Sequence, residues 1–342
     1  MESSNGVPHP GSMQFFGLLH VEDGRRQSAN LRHGDDAAAA IYLGNAVRLS
    51  NALAAVGCEF TLLTNDAARL GAIDAREFGS SIAMREIPFS AAVPPTAGFY
   101  SAHFKVDVFR WFAKLAPEGY PILFDVDAVA LRVPPRTLRN CAAAGLPLVY
   151  DISDQVIPAY GEETIAADLA LLSGSHSPIC RWYGGEFIGG RPSFFARLGD
   201  EIATSWERYC QHFAGFHHQG DEILTSAALC RMIASGFPVL DAGPVGIVGR
   251  YWSIPPHHPQ KPLAWFERCF LAHLPADKAF LARRANEPFD AARFCHAYRR
   301  HLALGTFRTA ARQLAKRGLR VMGRGAGLNT DWRSAIPRPD KA

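Results

Sequence analysis

Three apolar runs constrain what this 342-residue chain can fold into: Met13–Val21, Cys58–Thr64 and Tyr120–Leu131. The first two read as strands, and the third opens with a strand that ends in two carboxylates. Between the first two lies Ala37–Val56, with apolar positions Ile41, Leu43, Val47, Leu49, Leu53 and Val56 in helical spacing and Gly57 as its stop. Strand, helix, strand in that order indicates a parallel sheet, because parallel neighbours need a long crossover. A helix over Ala67–Ala75, a strand over Ala83–Ile87, a loop over Pro88–Gly98 and a helix over Ala102–Leu115 continue the alternation. The expected fold class is α/β, a mostly parallel twisted sheet flanked by helices. Ligands of such sheets gather beyond the carboxyl ends of the strands.

The third run carries the strongest chemical signal. Tyr120-Pro121-Ile122-Leu123-Phe124 leads into Asp125-Val126-Asp127. In a strand, side chains two apart share a face, so both carboxylates are expected to point the same way. Two such charges raise each other's pKa unless a cation compensates them. Hard oxygen ligands suit Mg²⁺ or Mn²⁺, which commonly join carboxylates to substrate phosphates. Lys105 or Arg110, on the preceding helix, is a candidate cation, and either also fits the solvated face of an amphipathic helix. Thr64-Asn65-Asp66, ending the second strand, suits a nucleotide base or ribose, or a turn.

Further along, Trp182–Gly190 is a glycine-flanked apolar segment that contains Gly185 and the acid Glu186. Glycines permit close backbone approach to a ligand, and an acid in apolar surroundings needs a partner. Helices are expected at Pro135–Ala144, Pro192–Phe213 and Glu222–Ser235, with strands at Pro147–Tyr150 and Cys269–Leu274. Asp221 and Glu222 open a helix, where acids oppose the helix dipole favourably. His217-His218 and His257-His258 read as polar loop residues, since adjacent histidines do not readily share one ion. No glycine-rich dinucleotide or P-loop motif is present.

Composition adds bounds. With 48% hydrophobic and 20% charged residues the chain is an ordinary globular protein. Seven dispersed cysteines suggest reduced thiols and a cytoplasmic setting. Nine basic residues and no acidic ones lie between Ala291 and Thr330, outweighing the formal net charge of +4, so the remainder is net acidic. Apolar residues interleave those arginines, a pattern that fits a helix attracted to an anionic membrane surface or a solvated helix packed on the domain. No recognition motif supports nucleic acid as a partner. Residues 1–12 and 331–342 are expected to be disordered and 286–330 to form a basic helical tail. Residues 13–285 are expected to form the main domain, 13–131 as its nucleotide half and 132–285 as its acceptor half.

A cation-bearing helix, an apolar strand ending in Asp-x-Asp, a glycine-rich segment, an acidic helix start and a late His273 with Lys278 together resemble the GT-A class of nucleotide-sugar glycosyltransferases. The resemblance is nearest in style to the glycogenin and lipopolysaccharide galactosyltransferase group and covers roughly residues 13–280. It implies a Rossmann-like nucleotide half, with Asp125, Asp127 and His273 holding Mn²⁺ or Mg²⁺. It also implies Asn65, Asp66, Lys105, Asp125, Gly185 and Lys278 about the sugar nucleotide, and Glu186, Asp221 and Glu222 in catalysis. The acceptor would be a glycan or lipid-linked molecule. The chain departs from the family's late motif, with Ala276 where glycine is usual and Lys278 one position early. Two other readings stay open. One is a haloacid-dehalogenase-like phosphatase using Asp125 as nucleophile and Asp127 as general acid. The other is a non-catalytic domain that binds sugar nucleotides.

Overall fold

A computed structural model describes residues 12–21, 35–80, 82–174 and 179–305. The chain divides into a compact body up to Ala291 and a second unit from Ala292, whose described part, to residue 305, is helical. Most of the expected basic tail and both expected disordered ends lie outside the described residues. Among the described residues no helix is long and apolar enough to cross a membrane.

The opening alternation folds as its periodicity dictates. Strand β1 (Met13–Leu19) is followed by α1 (Asp35–Ala54), β2 (Phe60–Thr64), α2 (Ala67–Glu77) and β3 (Met84–Glu86). Then come a 3₁₀ turn (Tyr100–Phe104), α3 (Lys105–Phe112) and β4 (Tyr120–Phe124). The single helix expected from Ala102 to Leu115 is thus shorter and starts with a tighter turn. β1 pairs in parallel with both β2 and β4, and β2 with β3. Phe15, Phe60 and Phe187 gather around the Phe124 ring with centroids 5.8–6.5 Å away, which anchors β4 in mid-sheet.

The second half adds β5 (Ala128–Ala130), α4 (Arg136–Ala144), β6 (Leu148–Asp151), α5 (Ser153–Tyr160), α6 (Glu162–Ser173) and β7 (Tyr183–Gly189). After these come α7 (Pro192–His212), α8 (Asp221–Ala234), β8 (Leu240–Asp241), β9 (Val248–Arg250), α9 (Leu263–Phe266), β10 (Leu271–His273) and α10 (Lys278–Ala282). The main sheet has seven strands in the order β3-β2-β1-β4-β7-β6-β8. Only β7 runs against its neighbours, so the sheet is mixed and mostly parallel, with helices about it. A smaller sheet has the order β5-β10-β9.

One expectation is corrected at the centre. The strand does not end in the two carboxylates: it ends at Phe124, and Asp125-Val126-Asp127 forms the turn that passes the chain from the large sheet to the small one. The two acids therefore do not share the face of a strand. They converge because a tight turn brings both to the junction of the two sheets.

Candidate active site

His273 reaches that junction through backbone register. In the small sheet it lies opposite Ala128 on β5 and Arg250 on β9. The Leu274 N–H also donates to the Asp127 carbonyl at 2.9 Å. Asp125, Asp127 and His273 each present a ligand atom, all within 4.8 Å of one another. The Asp125 side chain is one-third exposed, while Asp127 and His273 are buried.

Each buried charge here has a partner. His273 Nε2 stands 3.1 Å from Asp127 Oδ1, and Lys278 Nζ forms an ion pair with Asp127 Oδ2. Lys278 also donates to the Pro275 carbonyl at 2.8 Å. Burial alone would raise the Asp127 pKa, but Lys278 and His273 overcome it and hold the carboxylate well below its usual range. Burial pulls His273 down, and Asp127 more than reverses this, pushing the imidazole up to about 9.

Lys105 opens α3 and meets Asp125 Oδ1 at 2.8 Å, Asp221 Oδ2 at 3.0 Å and the Gly185 carbonyl at 2.9 Å. The choice between the two cations on that helix is settled by orientation. Lys105 is buried at the site, whereas Arg110 pairs with Asp107 and is 44% exposed. Asp221 behaves unlike Asp127: burial raises its pKa to about 6, and Lys105 only partly offsets this because Glu222 and Asp125 add negative charge nearby. Gly185 is needed where these groups meet. A Cβ there would stand 2.2 Å from Asp221 Oδ2 and 2.7 Å from Lys105 Nζ.

Glu186 and Glu222 share an arginine that the sequence reading missed. Arg250 grips Glu186 with two hydrogen bonds of 2.6 and 2.7 Å and reaches Glu222 at 2.9 Å. Burial works against the Glu186 charge, but Arg250 and His273 outweigh it and keep its pKa far below normal. Glu222 also accepts from the Trp182 indole at 2.9 Å. Glu186 Oε1 lies 3.6 Å from His273 Nδ1, the nitrogen turned away from Asp127. In sequence Arg250 had one faint signal, as a cation ending the short run Ile247–Gly249, much as Asp125 ends β4.

The group lines a cavity of about 980 Å³ that Lys105, Asp125, Asp127, Asp221, Glu222, Arg250, His273 and Lys278 all reach. Asn65 and Asp66 do not line it. Asn65 exchanges hydrogen bonds with the backbone of Val21, accepting at 2.7 Å and donating at 2.9 Å, and Asp66 caps α2 by accepting from the Arg69 N–H. Of the two roles the sequence left open for them, nucleotide contact or turn, these bonds are those of a turn and a helix cap. All four histidines of the two pairs lie in loops, as expected, and all four line the cavity. His217 contacts Asp168 through Nδ1 and its own backbone N–H, and His218 stacks on Phe99.

No family model matches this chain, and no curated protein matches it in sequence. In structure it is similar to solved glycosyltransferases. One is the galactosyltransferase LgtC in complex with donor and acceptor sugar analogues, at 10% identity and a TM-score of 0.45 over 82% of this chain and 99% of that one. Another is mouse xyloside xylosyltransferase 1, at 10% identity and 0.43 over 76% and 96%. A third is the bifunctional glycosyltransferase WbbM, at 11% identity and 0.47 over 79% of this chain and 47% of that one.

Proposed function

We propose that the protein is a metal-dependent glycosyltransferase of the hexosyltransferase type, of the GT-A class, taking sugar from a nucleoside-diphosphate donor to a glycan or lipid-linked acceptor. The observation that carries this reading is the meeting of Asp125, Asp127 and His273 in a cavity that two lysines also line. Two carboxylates and an imidazole are a hard, oxygen-rich donor set that fits Mn²⁺ or Mg²⁺, and the partly exposed Asp125 faces the open side. A divalent ion bound there would offset the charge that develops on a departing nucleoside diphosphate.

The chain's own residues supply the rest. Lys105 and Lys278 add fixed positive charge beside the diphosphate, already in place before any reaction. Glu222 and Arg250, the latter held by the fully buried Glu186, form a pre-set pair of acceptor and donor for sugar hydroxyls. Asp221, with its carboxyl pushed up to about 6, can hold or release a proton near neutral pH, which suits it to orient a donor or acceptor hydroxyl. The phosphatase reading requires Asp127 as a proton donor, and Lys278 and His273 hold Asp127 ionised.

The test is a panel of UDP- and GDP-sugars with Mn²⁺, scored by thermal stabilisation and slow donor hydrolysis. Metal-dependent binding that disappears in Asp127→Ala supports the proposal. Phosphate release from simple monoesters with covalent labelling at Asp125 would replace it with the phosphatase. Tight nucleotide binding with no turnover on any acceptor would leave a binding domain.

A further inference from the structure

The lining of the cavity is chemically mixed, with a charged group that includes buried Asp127, His273 and Lys278. A second stretch of its lining is Phe99, Tyr160, Trp252, Ile254, Pro255 and Pro256, with no charge among them. Phe99, Tyr160 and Ile254 are 41%, 52% and 66% exposed, so three large apolar side chains stand in water at one cavity. Surface of this kind rimming a polar site is a common mark of a ligand-binding face.

Phe99 adds an independent observation. Among the described residues it is the only non-glycine with positive φ, at 49°. A bulky residue in the left-handed region is strained by about 1 kcal/mol or more. Its neighbours enforce it. The Gly98 N–H donates to Gln219 Oε1 at 3.1 Å, the Phe99 carbonyl accepts from Ala102 N–H at 2.9 Å, and His103 Nδ1 lies 3.1 Å from the same carbonyl. The result is a ring stacked on His218 at 5.1 Å and 22°, yet still two-fifths open. Burial lowers the His218 pKa, so this imidazole is a neutral part of the wall. The loop bearing Ile254 is also fixed at its neck, where Gln260 accepts from the Trp252 N–H at 2.7 Å and donates to its carbonyl at 3.0 Å. The stack on His218 uses one face of the Phe99 ring and leaves the side chain two-fifths exposed. A ligand with an apolar face would cover the exposed part.

Resting on the glycosyltransferase reading above, we propose that the acceptor is amphipathic: a sugar bearing an alkyl or aryl aglycone. The aglycone covers Phe99, Tyr160 and Ile254, while the sugar's accepting hydroxyl reaches the charged group. A bare sugar would leave Phe99, Tyr160 and Ile254 in water.

The experiment is calorimetric titration of the full chain, saturated with Mn²⁺ and UDP, with methyl, hexyl and phenyl β-galactoside and β-glucoside. The hexyl or phenyl compound is expected to bind at least tenfold more tightly than its methyl partner, the larger gain marking an alkyl or an aryl group. In Ile254→Ser, and separately in Phe99→Ala, that ratio is expected to fall below threefold. Because the readout is a ratio within one protein, a general loss of binding cancels. Equal affinities for the three aglycones, or a ratio unchanged in both variants, would overturn this inference and leave the transferase reading standing. Failure of Mn²⁺ and every nucleotide to bind would overturn both.

Discussion

Asp127 and Asp221 are both buried aspartates beside a lysine, yet they settle in opposite states. Asp127 has two cations against it, Lys278 and His273, and stays ionised far below the usual range. Asp221 shares Lys105 with Asp125 and has Glu222 close by, so its carboxyl rises to about 6. Burial is common to the two, so the count of local cations against local acids decides the outcome. One end of the site is therefore a rigid ionic clasp, and the other holds a proton that can move near neutral pH.

The most severe way to break the contrast is Asp127→Asn. It removes one of the proposed metal ligands and leaves Lys278 and His273 facing each other without their anion. Mn²⁺ binding should become undetectable by calorimetry, and urea unfolding of the metal-free protein should show a loss of about 3–5 kcal/mol. The next variant, Asp221→Asn, sharpens it through pH. The folded-state pKa of about 6 lies above the ordinary 3.8, so between those values the folded chain holds a proton that the unfolded chain has released. Stability from this group is full below about pH 4 and is lost as pH rises through 6, a change of about 3 kcal/mol at most. Without metal, the asparagine variant should gain on the wild type by up to that amount between pH 4 and pH 7. An unchanged difference would remove the assignment.

A smaller effect is expected from Glu186→Gln. The glutamate stands behind His273 Nδ1 and is clamped by Arg250, so weakening it should reduce Mn²⁺ affinity by about 10- to 100-fold. Arg250→Lys, which cannot reproduce the two-point grip, should shift affinity in the same direction. The least is expected of Asp66→Ala: a loss of about 1 kcal/mol from the α2 cap, with donor affinity unchanged.

The large sheet was legible because its first half alternates strand and helix periods cleanly, and Asp125-Val126-Asp127 was legible because acids rarely end a buried run. Of the small sheet only β10 was legible, inside the strand expected over Cys269–Leu274. β5 and β9 are three residues each, too short for a period to register, and β5 follows β4 after a turn of only three residues. Arg250 went unseen for the same reason, since only its register opposite His273 brings it to Glu186. Asn65 and Asp66 carried a signal that binding loops and turns share, and their hydrogen bonds are those of a turn and a helix cap. Lys105 was separable from Arg110 only once the helix had a buried side.

The pairing of β10 with β5 has a consequence for how the protein is made. His273 joins a strand laid down about 146 residues earlier, so Asp125 and Asp127 emerge from the ribosome long before their partner exists. Closing so long a loop comes late, and the proposed metal affinity would appear only with it. Mn²⁺ retention would thus certify a finished chain: fragments ending before Leu271 would carry both aspartates and still fail to hold the ion.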